Sequence, residues 1–193
     1  MRRDLAFEAL AAVRGDAIVV ATYSSAFEWQ RVAPHPLNLP ATGAMGQGSS
    51  HALGLALGLP GTKIIVLDGD GSLLMNLGSL VTIAAAAPQN LLHFVCENGV
   101  YEANGSHPIP GRGTVDFAAL ALAAGYPHAS TYSELAPFVD DLPRLMQLSG
   151  PVCATLKLTA GETPLKLDYR WMHGSKTRAD FKAAISSLLP SKG

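Results

Sequence analysis

Four near-continuous apolar runs constrain this chain more than any other feature: DAIVVAT at 16–22, TKIIVLDGD at 62–70, NLLHFVCEN at 90–98 and PVCATLKL at 151–158. Each is short for a helix and has no polar face, so each reads as a strand buried on both sides. Helical patterns separate them. Residues 4–13 place Leu5, Phe7, Ala9, Leu10 and Val13 at helical spacing, and Gly15 ends that segment. Ser49 and Ser50 are expected to cap a small-residue helix, HALGLALGL, and a second helix is expected over 76–87, broken by Pro88. Asp116 can N-cap FAALALAAGY; residues 133–148 and the tail segment DFKAAISSLL read as further helices. Residues 24–48, with three prolines and then Gly43, Gly46 and Gly48, read as irregular, and 99–114 as a long polar loop. Buried strands alternating with helices imply an α/β class: a doubly wound, mostly parallel sheet with helices on both faces. Ligands of such sheets sit beyond the carboxyl ends of the strands. Three turns therefore matter: the one after VVAT, the one at 68–72 and the one at 97–99.

The 193 residues suit one domain, expected over 1–193, with a core over 15–160 and a tail over 161–193. The chain is 48% hydrophobic and 15% charged, with mean hydropathy +0.22. Such apolar composition implies a deep core or a face hidden against another subunit, so self-association is expected. Net charge is -1 with no Lys/Arg run, which argues against nucleic acid and anionic membrane surfaces as partners. Cys96 and Cys153 lie in apolar runs without metal-ligand spacing and read as buried thiols. No stretch has the length and apolarity of a membrane span, and MRRDLAFEAL carries no long apolar signal core, so a reducing, cytoplasmic setting is expected.

The turn LDGDGSLLMN follows a strand and enters a helix, with Gly69 and Gly71 flanking Asp70. Glycines there let backbone amides approach a ligand, and a helix N-terminus suits phosphate. A carboxylate at a phosphate site makes sense if a hard divalent cation lies between them; Ser72 could add a hydroxyl. A plain Asp-Gly turn is the competing reading. Between Gly71 and Asn98 lie 26 residues, room for one helix and one strand, so both turns should emerge at the same sheet edge. One carboxylate, the Asn98 amide oxygen, a backbone carbonyl beyond it, a diphosphate and water would complete the octahedron that magnesium requires.

The run GDGS, the 26-residue gap and Asn98-Gly99 resemble the signature of the thiamine diphosphate-dependent decarboxylases and their relatives, over about residues 15–160. The resemblance implies the thiamine diphosphate-binding fold. It also implies Mg²⁺ held by Asp70, Asn98 and the main-chain carbonyl of Val100, and diphosphate lined by Gly69, Gly71 and Ser72, with Tyr101 beside the cofactor. ATGAMGQGSSHALGLALGLP resembles the family's glycine-rich stretch, which places Gly43, Met45 and Gly46 at the cofactor. In that position a bulky apolar residue wedges under the cofactor and bends it, bringing its 4′-imino nitrogen against C2; core filler is the competing reading of Met45. Family members also carry a pyrimidine-binding domain whose Glu drives C2 deprotonation, and no room for it is found here. The resemblance therefore implies a β subunit of a split enzyme, similar to sulfopyruvate decarboxylase β subunits and phosphonopyruvate decarboxylases, with a pyrimidine-binding partner and a small 2-oxo acid substrate.

The chain departs from the pattern after Asn98-Gly99. Glu102 stands where a Gly is usual, adding negative charge near an anionic substrate, and His107-Pro108-Ile109 replaces a Gln-Pro-Thr segment. His107 could serve as an acid–base group or be an ordinary polar loop residue. Arg112 could meet a carboxylate or sulfonate, or be solvated. The other histidines, at 35, 51, 93, 128 and 173, show no ligand spacing and read as structural. The alternatives are an acetolactate synthase-like carboligase subunit, a 2-oxoacid:ferredoxin oxidoreductase β subunit, whose cluster needs more cysteines than two, and a non-catalytic binding module. A nicotinamide-binding Rossmann domain is disfavoured, because glycines 43, 46 and 48 run in the wrong order and no clear strand precedes them.

Overall fold

The four apolar runs form the middle of one parallel sheet. A computed structural model describes residues 1–43 and 45–189; residue 44 of the glycine-rich stretch and 190–193 of the tail lie outside it. In chain order the elements are α1 (Arg3–Val13), β1 (Ile18–Thr22), α2 (Tyr23–Val32), β2 (Asn38–Ala41), α3 (Gly48–Gly58), β3 (Ile64–Gly69), α4 (Asp70–Met75), α5 (Ser79–Ala86), β4 (Leu91–Glu97), β5 (Val100–Tyr101), β6 (His107–Pro108), α6 (Phe117–Ala124), β7 (His128–Tyr132), α7 (Leu135–Gln147), β8 (Val152–Lys157), α8 (Tyr169–His173) and α9 (Ser175–Ser186). The sheet order is β2-β1-β3-β4-β8-β7, every pair parallel, while β5 and β6 form a separate antiparallel hairpin.

Alternate residues of each central strand feed two cores. Val19, Ile65, Leu67, Phe94 and Ala154 meet α1, α2 and α7 on one face. Ile18, Val20, Ile64, Val66, Val95 and Cys153 meet α3, α5, α6 and α9 on the other. This two-sided burial explains why the strands lack polar alternation. The cores extend past 15–160 at both ends, through Phe7 and Leu10 of α1 and through Met172 and Phe181 of the tail. Both cysteines are buried in strands, and burial pushes their thiols up to about 12, so neither is a ready nucleophile.

The two helix layers differ in charge. Charge is carried by α1, α2 and α7 on the first face and by α9 on the second, whereas α3, α5 and α6 carry no Asp, Glu, Lys or Arg. Leu57, Val81 and Leu122 of those three helices are 57%, 60% and 51% exposed. Burial inside the monomer thus accounts for only part of the apolar composition.

Several expectations need correction. The stretch 24–48 is not irregular: it holds α2 and β2. The apolar pattern of α2 is masked by Glu28, a carboxylate buried beside Arg3 and Arg31. Pro40 sits in β2 because that strand is a sheet edge, where a missing N–H costs least. The glycines at 43, 46 and 48 therefore do follow a strand, although their order still differs from a dinucleotide motif. The helix expected over 76–87 is α5, which starts only at Ser79; a separate short helix, α4, precedes it from Asp70, and the chain unwinds between them at 76–78, where the Asn76 amide donates to the Gly46 carbonyl at 2.9 Å. Ser49 does not cap α3, which starts at Gly48; its hydroxyl instead meets that of Ser79 at 2.9 Å. The polar edge strand β7 was not anticipated, and α9 starts five residues before its expected position. Asp116 does cap α6, accepting from Ala119 N at 2.9 Å. Among the described residues no helix is long and apolar enough to cross a membrane.

Phe94 lies in the first core, its ring 6.1 Å from that of Phe138 on α7 in an edge-to-face contact. Phe94→Ala is expected to cost about 3–5 kcal/mol of unfolding free energy, read from the urea midpoint.

Candidate functional site

Strand order reverses around β1 and β3, and the cleft opens at their carboxyl ends, where open α/β sheets bind ligands. Parallel register sets Gly69 of β3 beside Cys96 of β4, so the turns leaving these strands emerge side by side. The Asp70 carboxylate spans them. Its Oδ1 accepts from Gly71 N at 2.7 Å, while Oδ2 accepts from Asn98 N at 3.0 Å and Gly99 N at 2.7 Å. Asp70 is 2% exposed, and burial pushes its carboxyl above the ordinary range against the opposing pull of those three donors. A buried carboxylate with lone pairs left over is a site that a cation would stabilise.

Asn98 continues the arrangement. Its Oδ1 accepts from Val100 N at 3.0 Å, and its Nδ2 donates to Glu102 Oε2 at 3.3 Å. Gly99 takes φ +75, the left-handed turn that folds the β5–β6 hairpin back over the cleft. The hairpin also explains Gly71. A Cβ there would stand 2.4 Å from the Tyr101 ring, so the glycine makes room for a side chain rather than only for a ligand.

One cleft is lined by Met45, Gly69, Asp70, Gly71, Ser72, Asn98, Val100 and Tyr101 together. Gly46 lies just behind it, donating its N–H to Ser72 Oγ at 3.0 Å. Met45 Sδ is 3.7 Å from Asn104 Nδ2, so the side chain lies against the hairpin and not in either core. Two expected site residues are not brought in. Gly43 is exposed and does not line the cleft, and His107 sits on exposed β6, paired with Tyr101 on the far strand of the hairpin. An acid–base role for His107 has no geometric support in this chain.

The residue set fits a diphosphate-bound divalent cation: the buried carboxylate of Asp70, the side-chain amide of Asn98 and Val100 border one cleft, and each offers oxygen. Cys96 also lines the cleft, but its thiol is buried and its pKa raised.

Sequence reasoning missed two contributions. Thr22, Tyr23, Ser24 and Ser25 supply hydroxyl groups from the end of β1, and Thr22 Oγ1 accepts from Gly69 N at 3.0 Å. Tyr23 holds φ +40, a strained value for a non-glycine residue, where strand passes directly into helix. The turn expected after VVAT pointed here, but nothing in YSS marks it. The other omission is Arg3 of α1, which is 4% exposed and lines the cleft wall. Arg3 Nη1 donates to Glu102 Oε2 at 2.6 Å, so Glu102 does not bring uncompensated negative charge. Burial raises the Glu102 carboxyl, but the Arg3 guanidinium overcomes this and holds it below the usual range.

Because Tyr101 occupies the space a Cβ would need, Gly71→Ala is expected to displace the hairpin. Limited proteolysis should show faster cleavage within 99–114, with β3 and β4 unaffected.

A family model described as "Thiamine pyrophosphate enzyme, C-terminal TPP binding domain" matches residues 18–154. A phosphonopyruvate decarboxylase of Streptomyces viridochromogenes is 36% identical over 148 residues, which are 77% of this chain and 37% of that protein. The chain thus spans little more than a third of that relative. The β subunit of sulfopyruvate decarboxylase from Methanothermobacter thermautotrophicus is 34% identical over 164 residues, 83% of this chain and 84% of that subunit. A solved chain from Mycobacterium smegmatis, assigned as a thiamin diphosphate-dependent enzyme, superposes with a TM-score of 0.68 at 22% identity, over 84% of this chain and 32% of its own length; that likeness concerns the fold. With the model covering most of its length and a β subunit matched nearly end to end, the chain belongs to the thiamine diphosphate enzymes and carries their C-terminal cofactor-binding domain.

Proposed function

We propose that this chain is the diphosphate- and Mg²⁺-binding subunit of a split thiamine diphosphate-dependent decarboxylase acting on a small 2-oxo acid of the sulfopyruvate or phosphonopyruvate kind. One observation carries the reading: the Asp70 carboxylate joins the two turns whose Asn98 and Val100 border the same cleft as Met45. Asp70, Asn98 and the Val100 carbonyl would hold Mg²⁺, while Gly69, Gly71 and Ser72 would line the diphosphate and Met45 would support the bent cofactor. Thiamine diphosphate, when bound, supplies the carbanion chemistry. The protein's share is to hold the cofactor in shape, exclude water with the Tyr101 hairpin and orient the substrate.

The domain assignment, one thiamine diphosphate-binding unit with a C-terminal tail, is part of the same proposal, as is a partner chain bearing the pyrimidine-binding domain. The naming of the Methanothermobacter relative as a β subunit supports a partner. So does the uncharged outer layer of α3, α5 and α6, which offers a face of the kind buried between subunits. Arg112 bears on the substrate. Its side chain lies over the second turn, with Nε 3.0 Å from where a Gly99 Cβ would be, and it forms no ion pair among the described residues. Arg3, by contrast, is occupied by two carboxylates. A cation left unpaired at the Gly99 turn, outside the cleft lining but next to Asn98 and Val100, suits an anionic 2-oxo acid.

Two outcomes are expected. Co-purified with its pyrimidine-binding partner, the chain should release CO₂ from sulfopyruvate or phosphonopyruvate given thiamine diphosphate and Mg²⁺, whereas the chain alone should not turn over; robust turnover by the isolated chain would reject the split arrangement. Asp70→Asn should lose the Mg²⁺-dependent part of thiamine diphosphate binding in calorimetry, and unchanged metal dependence would remove Asp70 from the site.

A further inference from the structure

Glu102 ends a chain of charges that begins on α2. Arg31 donates to Glu28 Oε1 from Nε at 2.9 Å and from Nη2 at 2.5 Å, and Glu28 Oε2 faces Arg3 Nε at 3.5 Å. Arg3 donates to both oxygens of Glu102, at 2.6 and 3.3 Å, and Glu102 Oε2 in turn accepts from Asn98 Nδ2. Glu28 is wholly buried and Arg3 nearly so. Burying such groups carries a desolvation penalty that apolar side chains of similar volume would avoid, so packing alone does not account for them. What the chain of charges reaches is specific: one carboxylate at the start of the 3₁₀ turn Glu102–Asn104, touching the amide of Asn98.

That contact has a directional consequence. An amide side chain can face either way, and its orientation is set by its hydrogen-bond partners. A carboxylate accepts only, so it must face the NH₂ end, just as the Val100 N–H must face the oxygen; the two partners enforce one orientation of the Asn98 amide. The hairpin gains an anchor as well. It has two residues per strand, and β6 is exposed, so it has little stability of its own. Arg3 ties it to α1, which is itself packed into the first core through Phe7 and Leu10.

We propose that Glu102 is a positioning residue that fixes the amide orientation of Asn98 and, through Arg3, latches the 99–114 segment over the cleft. The metal side of this inference rests on the proposed function; the latch does not.

The test uses the full chain, with hydrogen exchange at amides 98–104 and calorimetry of thiamine diphosphate with and without Mg²⁺. Glu102→Ala should speed exchange at 98–104 by about tenfold or more while β3 and β4 keep their protection. It should also weaken the Mg²⁺-dependent component of binding by about 10-fold with little change in metal-free binding, the scale seen when a ligand's orienting partner is lost. Glu102→Gln can still accept from Asn98 Nδ2, so it should restore most of the metal dependence but only part of the latch. Arg3→Met should release the latch, as Glu102→Ala does. Unchanged exchange at 98–104 in Glu102→Ala would overturn the proposal, as would equal acceleration across β3 and β4, which marks general destabilisation. If the unsubstituted chain co-purified with its partner takes up no thiamine diphosphate with Mg²⁺, the functional reading fails, while the exchange measurement still decides the latch.

Discussion

The Asp70 carboxylate accepts hydrogen bonds from three backbone amides, and two of them belong to a turn 28 residues and more further along the chain. Without that bridge, the ends of β3 and β4 would be neighbours only by sheet register. With it, the second turn is held at a defined height above the first, and the hairpin that follows is aimed over the cleft. The same group is held in low-dielectric surroundings that disfavour its charge. Structural anchoring and readiness for a cation therefore come from one side chain.

Around that point the molecule separates its roles by layer. The charged helix α1 supplies Arg3 to the cleft wall, and α2 backs it with Glu28 and Arg31. The uncharged helices α3, α5 and α6 cover the opposite face of the sheet and leave large apolar side chains in solvent. A sheet buried on both faces needs apolar inner surfaces on all its helices, but it does not require uncharged outer ones. The second feature is not required by the fold, and it gives the apolar composition a location.

Legibility differed by the kind of signal. The central strands were readable because two-sided burial leaves few polar residues, only Thr22 and His93, in IVVAT, IIVL and LLHFVC. The edge strands were not: NLPA contains a proline and HASTY is half polar, and each has a neighbour on one side only. Helix α2 was hidden because its buried Glu28 looks like a surface residue until Arg3 and Arg31 are seen beside it. Asp70 and Asn98 were legible together because motif spacing places their turns at one sheet edge, whereas Val100 and Met45 were placed by the family resemblance. The hydroxyls of Ser24 and Ser25 were not, since two serines after a strand have many ordinary uses. Glu102 was noticed, but its partner Arg3 lies 99 residues away at the other end of the fold.

The sequence by itself determined the class of fold, the two turns that face each other, and the oxygen ligands available there, because each of these follows from local pattern and the length of one intervening helix and strand. Only the tertiary structure decided that Asp70 spends its oxygens on the second turn, that Gly71 is small on account of Tyr101, that His107 stands outside the cleft, and that Glu102 is neutralised by Arg3. Those are contacts between segments with no common sequence signature. Hydrogen bonds and ion pairs act over a few ångströms in space, and no pattern along the chain reports which distant side chain the fold will bring within that reach.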